Sequence, residues 1–317
     1  MISTAGEVGR SAPGPILVAT DFSADADRAV ARAALLAKTS GRSLVLLAVV
    51  HREALLPAWL EASVPELASE DRLERRVESR LAEAAARHAL PSTTRLVVRF
   101  GKPWETILAE AKREGASLLV LGARGERASH AGVGSTAWRV LQGADSPLLI
   151  VRGPVHGRYR RVLAALDFDQ AAAAVLSAVL HFAEEAEILV LHALGRPGLS
   201  LLSHGGASLD PLATEPAALL GEARSRLEAL VREHAAGGSL ELRVCAADPV
   251  EAAKRLIEEG CELIAFGAPR RHPWIGALLG SFALAQLAEG STDMLIVTTK
   301  QAEPGRSPPA AAIAARA

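Results

Sequence analysis

Ile16-Leu17-Val18-Ala19-Thr20-Asp21-Phe22 returns 146 positions later as Val162-Leu163-Ala164-Ala165-Leu166-Asp167-Phe168. An apolar run ending in Asp-Phe reads as a buried strand feeding a turn. Three further landmarks recur in the same order. Leu118-Leu119-Val120-Leu121-Gly122-Ala123-Arg124-Gly125 returns as Leu263-Ile264-Ala265-Phe266-Gly267-Ala268-Pro269-Arg270, at an offset of 145. Gly134-Ser135-Thr136 returns as Gly280-Ser281-Phe282, and Pro147-Leu148-Leu149-Ile150-Val151 as Asp293-Met294-Leu295-Ile296-Val297, both at 146. Order and spacing together mean two copies of one domain. The period is longer than the roughly 20–50 residues of a solenoid repeat.

Around these landmarks the first copy reads as strands over Ile16–Thr20, Ser43–Val50, Leu96–Phe100, Ala116–Leu121 and Pro147–Val151. Helices separate them over Asp25–Lys38, Glu70–His88, Pro103 to about Glu114, and Ser135–Gln142. Asp21 and Ser23 offer N-caps for the first helix, Gly41 stops it, and Pro103 suits a helix start. The second copy gives strands over Val162–Leu166, Ile188–Leu194, Leu240–Cys245, Leu263–Phe266 and Met294–Thr298. Wholly apolar strands alternating with helices predict a parallel sheet covered on both faces. The domains span 15–152 and 160–299, joined by a short linker, and 300–317 reads as a disordered tail.

Composition narrows the function classes. The 317 residues are 50% hydrophobic and 3% aromatic, so both cores are aliphatic. Net charge is −1, with no basic stripe and no interleaved aromatics, which argues against a nucleic-acid partner. Two cysteines, Cys245 and Cys261, exclude a disulfide framework and read as small buried side chains. No apolar run reaches the roughly 18 residues of a membrane span. Met1 to Pro15 lacks the charged and apolar regions of a signal peptide, so a cytoplasmic protein is expected.

In an open parallel sheet, ligands bind beyond the carboxyl ends of the strands. This directs attention to Asp21 and Asp167, to Val50 at the end of the second strand, and to the loops from Gly122 and Gly267. Asp21 fits either a ligand contact or a helix cap, and Asp167 has the same choice. Gly122 and Gly125 fit either a phosphate loop or a tight strand-to-helix connection. Arg124 and Arg127 fit either phosphate contact or solvated loop charge. His51 reads as a polar neighbour rather than a base. No nucleophile with an adjacent base, no metal-ligand cluster and no P-loop lysine is present, so no catalytic residue is assigned.

These residues resemble the universal stress protein family, as a tandem pair. The carriers are the hydrophobic-then-Asp opening, the Gly-x-x-Gly loop, the Gly-Ser/Thr at the next helix start and the closing apolar strand. The resemblance implies two Rossmann-like domains of the adenine nucleotide alpha hydrolase type, each with five parallel strands, and pairing through the last strand. That makes an intramolecular pseudo-dimer, with a homodimer and an unknown protein partner also open. It implies ATP, with or without Mg, as ligand. Gly122, Gly125, Gly134, Ser135 and Thr136 would take phosphates and ribose, with Arg124 beside them. Asp21 and the backbone after the second strand, at Val50, would take the nucleoside end. Asp167, Gly267, Arg270, Gly280 and Ser281 are the second copy's equivalents. A glycine loop and a helix N-terminus suit an anion independently of any resemblance.

Both copies depart from the family spacing. The first has eight residues, not nine, between Gly125 and Gly134; the second has Arg270 where a glycine is expected, flanked by Pro269 and Pro273. The reading is a regulatory, non-catalytic stress-response protein that binds adenine nucleotide mainly in its first domain. A nucleotide-free scaffold and a slow ATPase are the alternatives.

Overall fold

A computed structural model describes residues 14–51, 70–125, 132–168, 171–194, 216–234, 240–270 and 281–300. The tail expected from 300 onward lies beyond these residues apart from its first, Lys300, which ends a strand. The first half runs β1 (Ile16–Thr20), α1 (Ala24–Ser40), β2 (Leu44–Val50), α2 (Glu70–Arg87), β3 (Arg95–Phe100), α3 (Pro103–Glu114), β4 (Leu118–Gly122), α4 (Ser135–Gly143) and β5 (Leu148–Val151). The second runs β6 (Arg161–Ala165), α5 (Ala172–Phe182), β7 (Glu187–Ala193), α6 (Pro216–His234), β8 (Leu240–Cys245), α7 (Pro249–Glu258), β9 (Leu263–Arg270), α8 (Ser281–Glu289) and β10 (Asp293–Lys300).

Local chemistry sets the helix ends. Ser23 caps α1, its hydroxyl accepting the Ala26 N–H at 3.2 Å, and Gly41 ends it at φ 65°. Asp248 caps α7 by accepting the Val250 and Glu251 N–H groups. Such caps satisfy donors that a helix's first turn leaves unpaired.

Within each half the strands are parallel, in the order β3-β2-β1-β4-β5 and β8-β7-β6-β9-β10. The halves do not form two sheets. β5 pairs with β10 antiparallel, making one ten-stranded sheet. Leu149 lies opposite Leu295, its own counterpart in the repeat, so the local twofold relation passes through that pair. One apolar cluster covers one face under α1, α2, α5 and α6, and another the opposite face under α3, α4, α7 and α8; both run across the seam. Leu148, Leu149, Ile150, Met294, Leu295 and Ile296 are all at most 2% exposed. Cys261 belongs to the second cluster, and burial pushes its thiol up to about 11.

A polar cluster fastens the seam. Asp293, buried at the start of β10, accepts the Arg152 N–H at 2.8 Å and the Gly153 N–H at 3.0 Å on Oδ1. Its Oδ2 accepts the Tyr159 hydroxyl at 2.6 Å and lies 3.6 Å from Nε of Arg32 in α1. Arg32 also donates to the Gly157 carbonyl, and its guanidinium lies 3.8 Å over the Tyr159 ring. The same position in the first copy is Pro147, so the fastening is one-sided. Two further contacts cross the seam at matched places. Arg152 donates to the Leu287 carbonyl in α8, and Thr298, its counterpart, to the Ala144 carbonyl after α4. Among the described residues no helix is long and apolar enough to cross a membrane.

Two strands exceed their expected lengths. β9 continues to Arg270 and β10 to Lys300, paired over eight positions. β6 ends at Ala165, opposite Phe266, so beyond Phe266 β9 has a strand on one side only. An edge of that kind tolerates Pro269, which has no N–H for a ladder. Arg270 therefore ends a strand, where a loop position was expected.

Two outcomes follow from the cluster. Asp293→Ala strands Arg32 as a buried charge and should lower unfolding stability by about 3–5 kcal/mol. A urea midpoint within error of the parent would mean that the apolar pairing alone holds the seam. Tyr159 is the sole tyrosine. Burial first, then the Asp293 carboxylate, pushes its hydroxyl well above the ordinary value of 10.0. The folded chain holds this proton more tightly than the unfolded one, so its contribution to stability is full below about pH 10 and falls as pH rises above it. Phenolate absorbance should therefore appear only together with loss of the circular dichroism signal. Ionisation at the ordinary pH in a folded protein would contradict this.

Candidate functional site

The carboxyl ends of β1 and β4 bring together most residues singled out in the first copy. Asp21 follows β1, exposed, and its Oδ1 accepts the Ser23 N–H at 3.0 Å. It supports the turn before α1 while Ser23 caps the helix. Its Oδ2 lies 2.6 Å from where a Cβ on Gly125 would stand. Gly134 in turn lies against Ala123, Arg124 and Gly125, and donates its N–H to the Ala123 carbonyl at 2.7 Å. Asp21, Gly125 and the start of α4 thus form one surface.

The glycines serve close approach rather than backbone strain. Gly122, Gly125 and Gly134 have no positive φ. A Cβ on Gly122 would lie 2.6–2.8 Å from the backbone of Asp25 and Ala26, so this glycine lets α1 seat against β4. Gly267 repeats the device against Ala171, at 2.4 Å from its Cβ. Both glycines thus have a packing role, which the sequence reading of Gly122 as loop or connection and of Gly267 as its second-copy equivalent did not include. Gly125 is different: among the described residues, the exposed Asp21 carboxylate is what crowds it. Gly132 has a φ of 105° and lies near the Leu287 and Ala288 carbonyls of α8, so the domain-one loop touches domain two.

Gly134 caps α4 without a side-chain hydrogen bond, leaving Ser135 and Thr136 as the first helical residues. A helix start without a side-chain cap carries N–H groups and partial positive charge suited to an anion. Arg124 does not point its charge at that place. Its N–H and Nε both bond Asp25 Oδ2 at 3.2 Å, and Asp25 is also paired with Arg28. Arg152, at the end of β5, is close enough to Arg124 and Asp25 for their charges to act on it. Burial and then Arg124 lower its guanidinium from the ordinary value. Sequence reasoning passed over Arg152.

Val50 is buried, and its carbonyl accepts the Gly101 N–H at 3.0 Å. His51 follows, half-buried. Arg127 lies outside the described residues.

The second copy is built differently. Asp167 is 84% exposed, and its Oδ1 is 3.9 Å from His192 Nδ1. His192 is buried in β7 and donates from Nδ1 to the Leu166 carbonyl at 2.8 Å. Nothing in the repeat pointed to His192, because the aligned first-copy residue is Ala48. β9 runs straight through the positions where the first copy has left its strand at Gly122. Ser281 opens α8, and Gly280 lies outside the described residues. Among the described residues no cluster of three or more His, Cys, Asp or Glu side chains could hold a metal.

The profile of the "Universal stress protein family" matches residues 14–152 and 158–298, nearly the whole of the folded chain. The chain belongs to the universal stress protein family, as a tandem of two such domains. A Thermus aquaticus protein named "Universal stress protein in QAH/OAS sulfhydrylase 3'region" is 38% identical over 138 residues, which are 43% of this chain and 97% of the relative. "Universal stress protein G" of Shigella flexneri is 30% identical over 132 residues, 40% of this chain and 88% of the relative. A crystal structure of a universal stress protein from Archaeoglobus fulgidus covers 90% of this chain and 98% of its own, with a TM-score of 0.63 at 18% identity, and shares the fold.

The two loop glycines should respond differently to a methyl group. Gly122→Ala meets backbone and should cost about 1–3 kcal/mol. Gly125→Ala meets a carboxylate that can swing into solvent and should cost clearly less. Urea midpoints compare them; equal losses would mean that Asp21 is fixed in place.

Proposed function

We propose that this protein is a regulatory stress-response protein that binds adenine nucleotide, ATP with or without Mg, in its first domain and does not depend on turning it over. The observation that carries the reading is the surface formed by Gly125, Gly134 and the start of α4 without a side-chain cap, beside Asp21. The N–H groups at the start of α4, with the Ser135 and Thr136 hydroxyls, would hold phosphate oxygens. Gly125 would allow the chain to come near them. Asp21 would accept from the nucleoside end. The bound group would supply charge and a signal.

The first domain is the stronger site in this reading. The second has Arg270 in place of Gly125, and β9 is still a strand there, so the described residues form no counterpart of the Gly122–Gly125 turn. The shared seam core means that the halves are best compared within the intact chain.

Calorimetric titration of the whole protein with ATP, followed by product analysis, tests this. One ATP per chain without ADP formation is expected. Gly125→Val should weaken binding by about tenfold or more, roughly 1.4 kcal/mol, with the fold intact. Two equal sites per chain would overturn the ranking of the domains. No binding would favour a scaffold, and turnover lost with Gly125→Val would favour an ATPase.

A further inference from the structure

A cleft of about 300 Å³ lies between α1 and α2 in domain one, beside Phe22. Its lining includes Thr20, Phe22, Val30 and Ala84 and the charged side chains of Asp27, Arg80, Glu83 and Arg87. It lies on the α1–α2 face of the sheet, whereas α4, which bears the proposed phosphate contacts, packs on the opposite face.

Phe22 has a φ of 64°. A bulky side chain in that left-handed region costs about 1–3 kcal/mol and persists where its surroundings hold it. Phe168, its counterpart, has no positive φ. Arg80 lies over the Phe22 ring at 4.0 Å, and Arg226 over Phe168 at 4.5 Å, so this pair recurs in both halves at an offset of 146.

The described residues beside the pair differ between the halves. Thr20 pairs with Ala48. The place beside Leu166 belongs to His192, whose ring lies 4.2 Å from that of Phe168. Ala84 is matched by Leu230, which packs on the core, and the acids Asp27 and Glu83 by Ala173 and Ala229. The second half thus carries bulkier side chains there and lacks the acids.

Among the described residues, Arg80 and one oxygen of each acid have hydrogen-bonding capacity left. Among the described residues no carboxylate pairs with Arg80; its contact is the Phe22 ring. Asp27 receives Arg87 and His88 on Oδ1, both at 2.8 Å, and Oδ2 accepts no hydrogen bond among the described residues. Glu83 receives the Ser79 hydroxyl on Oε1 at 3.4 Å. We propose that this cleft is a second small-molecule site that takes a compact amphoteric metabolite of the α-amino acid class. Its carboxylate lies on Arg80, its ammonium on Asp27 and Glu83, and its apolar side chain on Val30 and Ala84. The volume is at the lower end of the roughly 300–1,000 Å³ of ligand pockets, which suits a compact molecule rather than a nucleoside triphosphate. Charges of both signs around apolar side chains select a molecule that carries both.

Calorimetry on the full chain tests this, with L-leucine and L-phenylalanine as probes. Isocaproate, which is leucine without the amine, and isoamylamine, which is leucine without the carboxylate, are the comparators. At least one amino acid should bind, and both single-charge analogues should bind about tenfold more weakly or worse. Arg80→Gln, an exposed substitution, should weaken the amino acid by a similar factor. Ala84→Leu, which copies the second half, should abolish its binding. ATP binding should survive both changes, which separates this site from the first. Absence of binding by both amino acids, isocaproate binding as tightly as leucine, or full affinity in Arg80→Gln would each overturn the proposal. Should Ala84→Leu fail to fold, the Arg80→Gln result decides alone.

Discussion

The antiparallel pairing of β5 with β10 is the constraint on which the rest of the molecule depends. Each half alone would end in an apolar edge strand with unpaired backbone groups, the kind of edge that recruits another chain. Placing two copies in one chain lets each cover the other's edge. Leu149 then meets Leu295, two sheets become one, and the apolar clusters on both faces run across the junction. The halves share their cores.

That shared core leaves the rest of each half free to diverge. Asp293 replaces a proline and binds the linker and α1 through Tyr159 and Arg32. Such a buried charged group is costly unless every partner is in place, so it specifies one arrangement of the halves rather than adding a large net stability. Elsewhere divergence acts on the carboxyl ends of the strands. The first half keeps an open turn at Gly122–Gly125 and an open cleft beside Phe22. The second continues β9 as a strand and places His192 where the first half has Ala48. One fold thus carries two halves whose corresponding spaces are differently built.

The glycine loop shows how far local pattern reaches. Its spacing marked the place where β4 meets α1 and α4, and those residues do converge. It did not reveal that Gly122 and Gly267 are there for helix packing while Gly125 faces Asp21. The separation comes from what stands opposite each Cα, and the opposing atoms belong to residues about a hundred positions away. Arg124 is a similar case: adjacent to the glycines in sequence, it spends its charge on Asp25, which a loop-based reading could not include.

The sequence by itself determined the duplication, the alternation of strands and helices, the parallel order within each half and the family. The duplication rests on recurring residues and the family on the resemblance of its motifs, while the rest follows from hydrophobic periodicity and short-range chemistry, all of which a linear pattern carries. The joining of the halves through their last strands was expected from the resemblance, but only the tertiary structure decided the antiparallel register of that junction, the Asp293 fastening, the length of β9 and the cleft beside Phe22. Each of those depends on which distant atoms share a small volume. Pro147 becoming Asp293 was visible as a polar residue at the start of an apolar strand, yet its partners Arg32 and Tyr159 are 261 and 134 residues away in the chain. Ala48 and His192 differ by one side chain, and whether that side chain fills a space or lies on a surface is a property of packing, which no local period encodes.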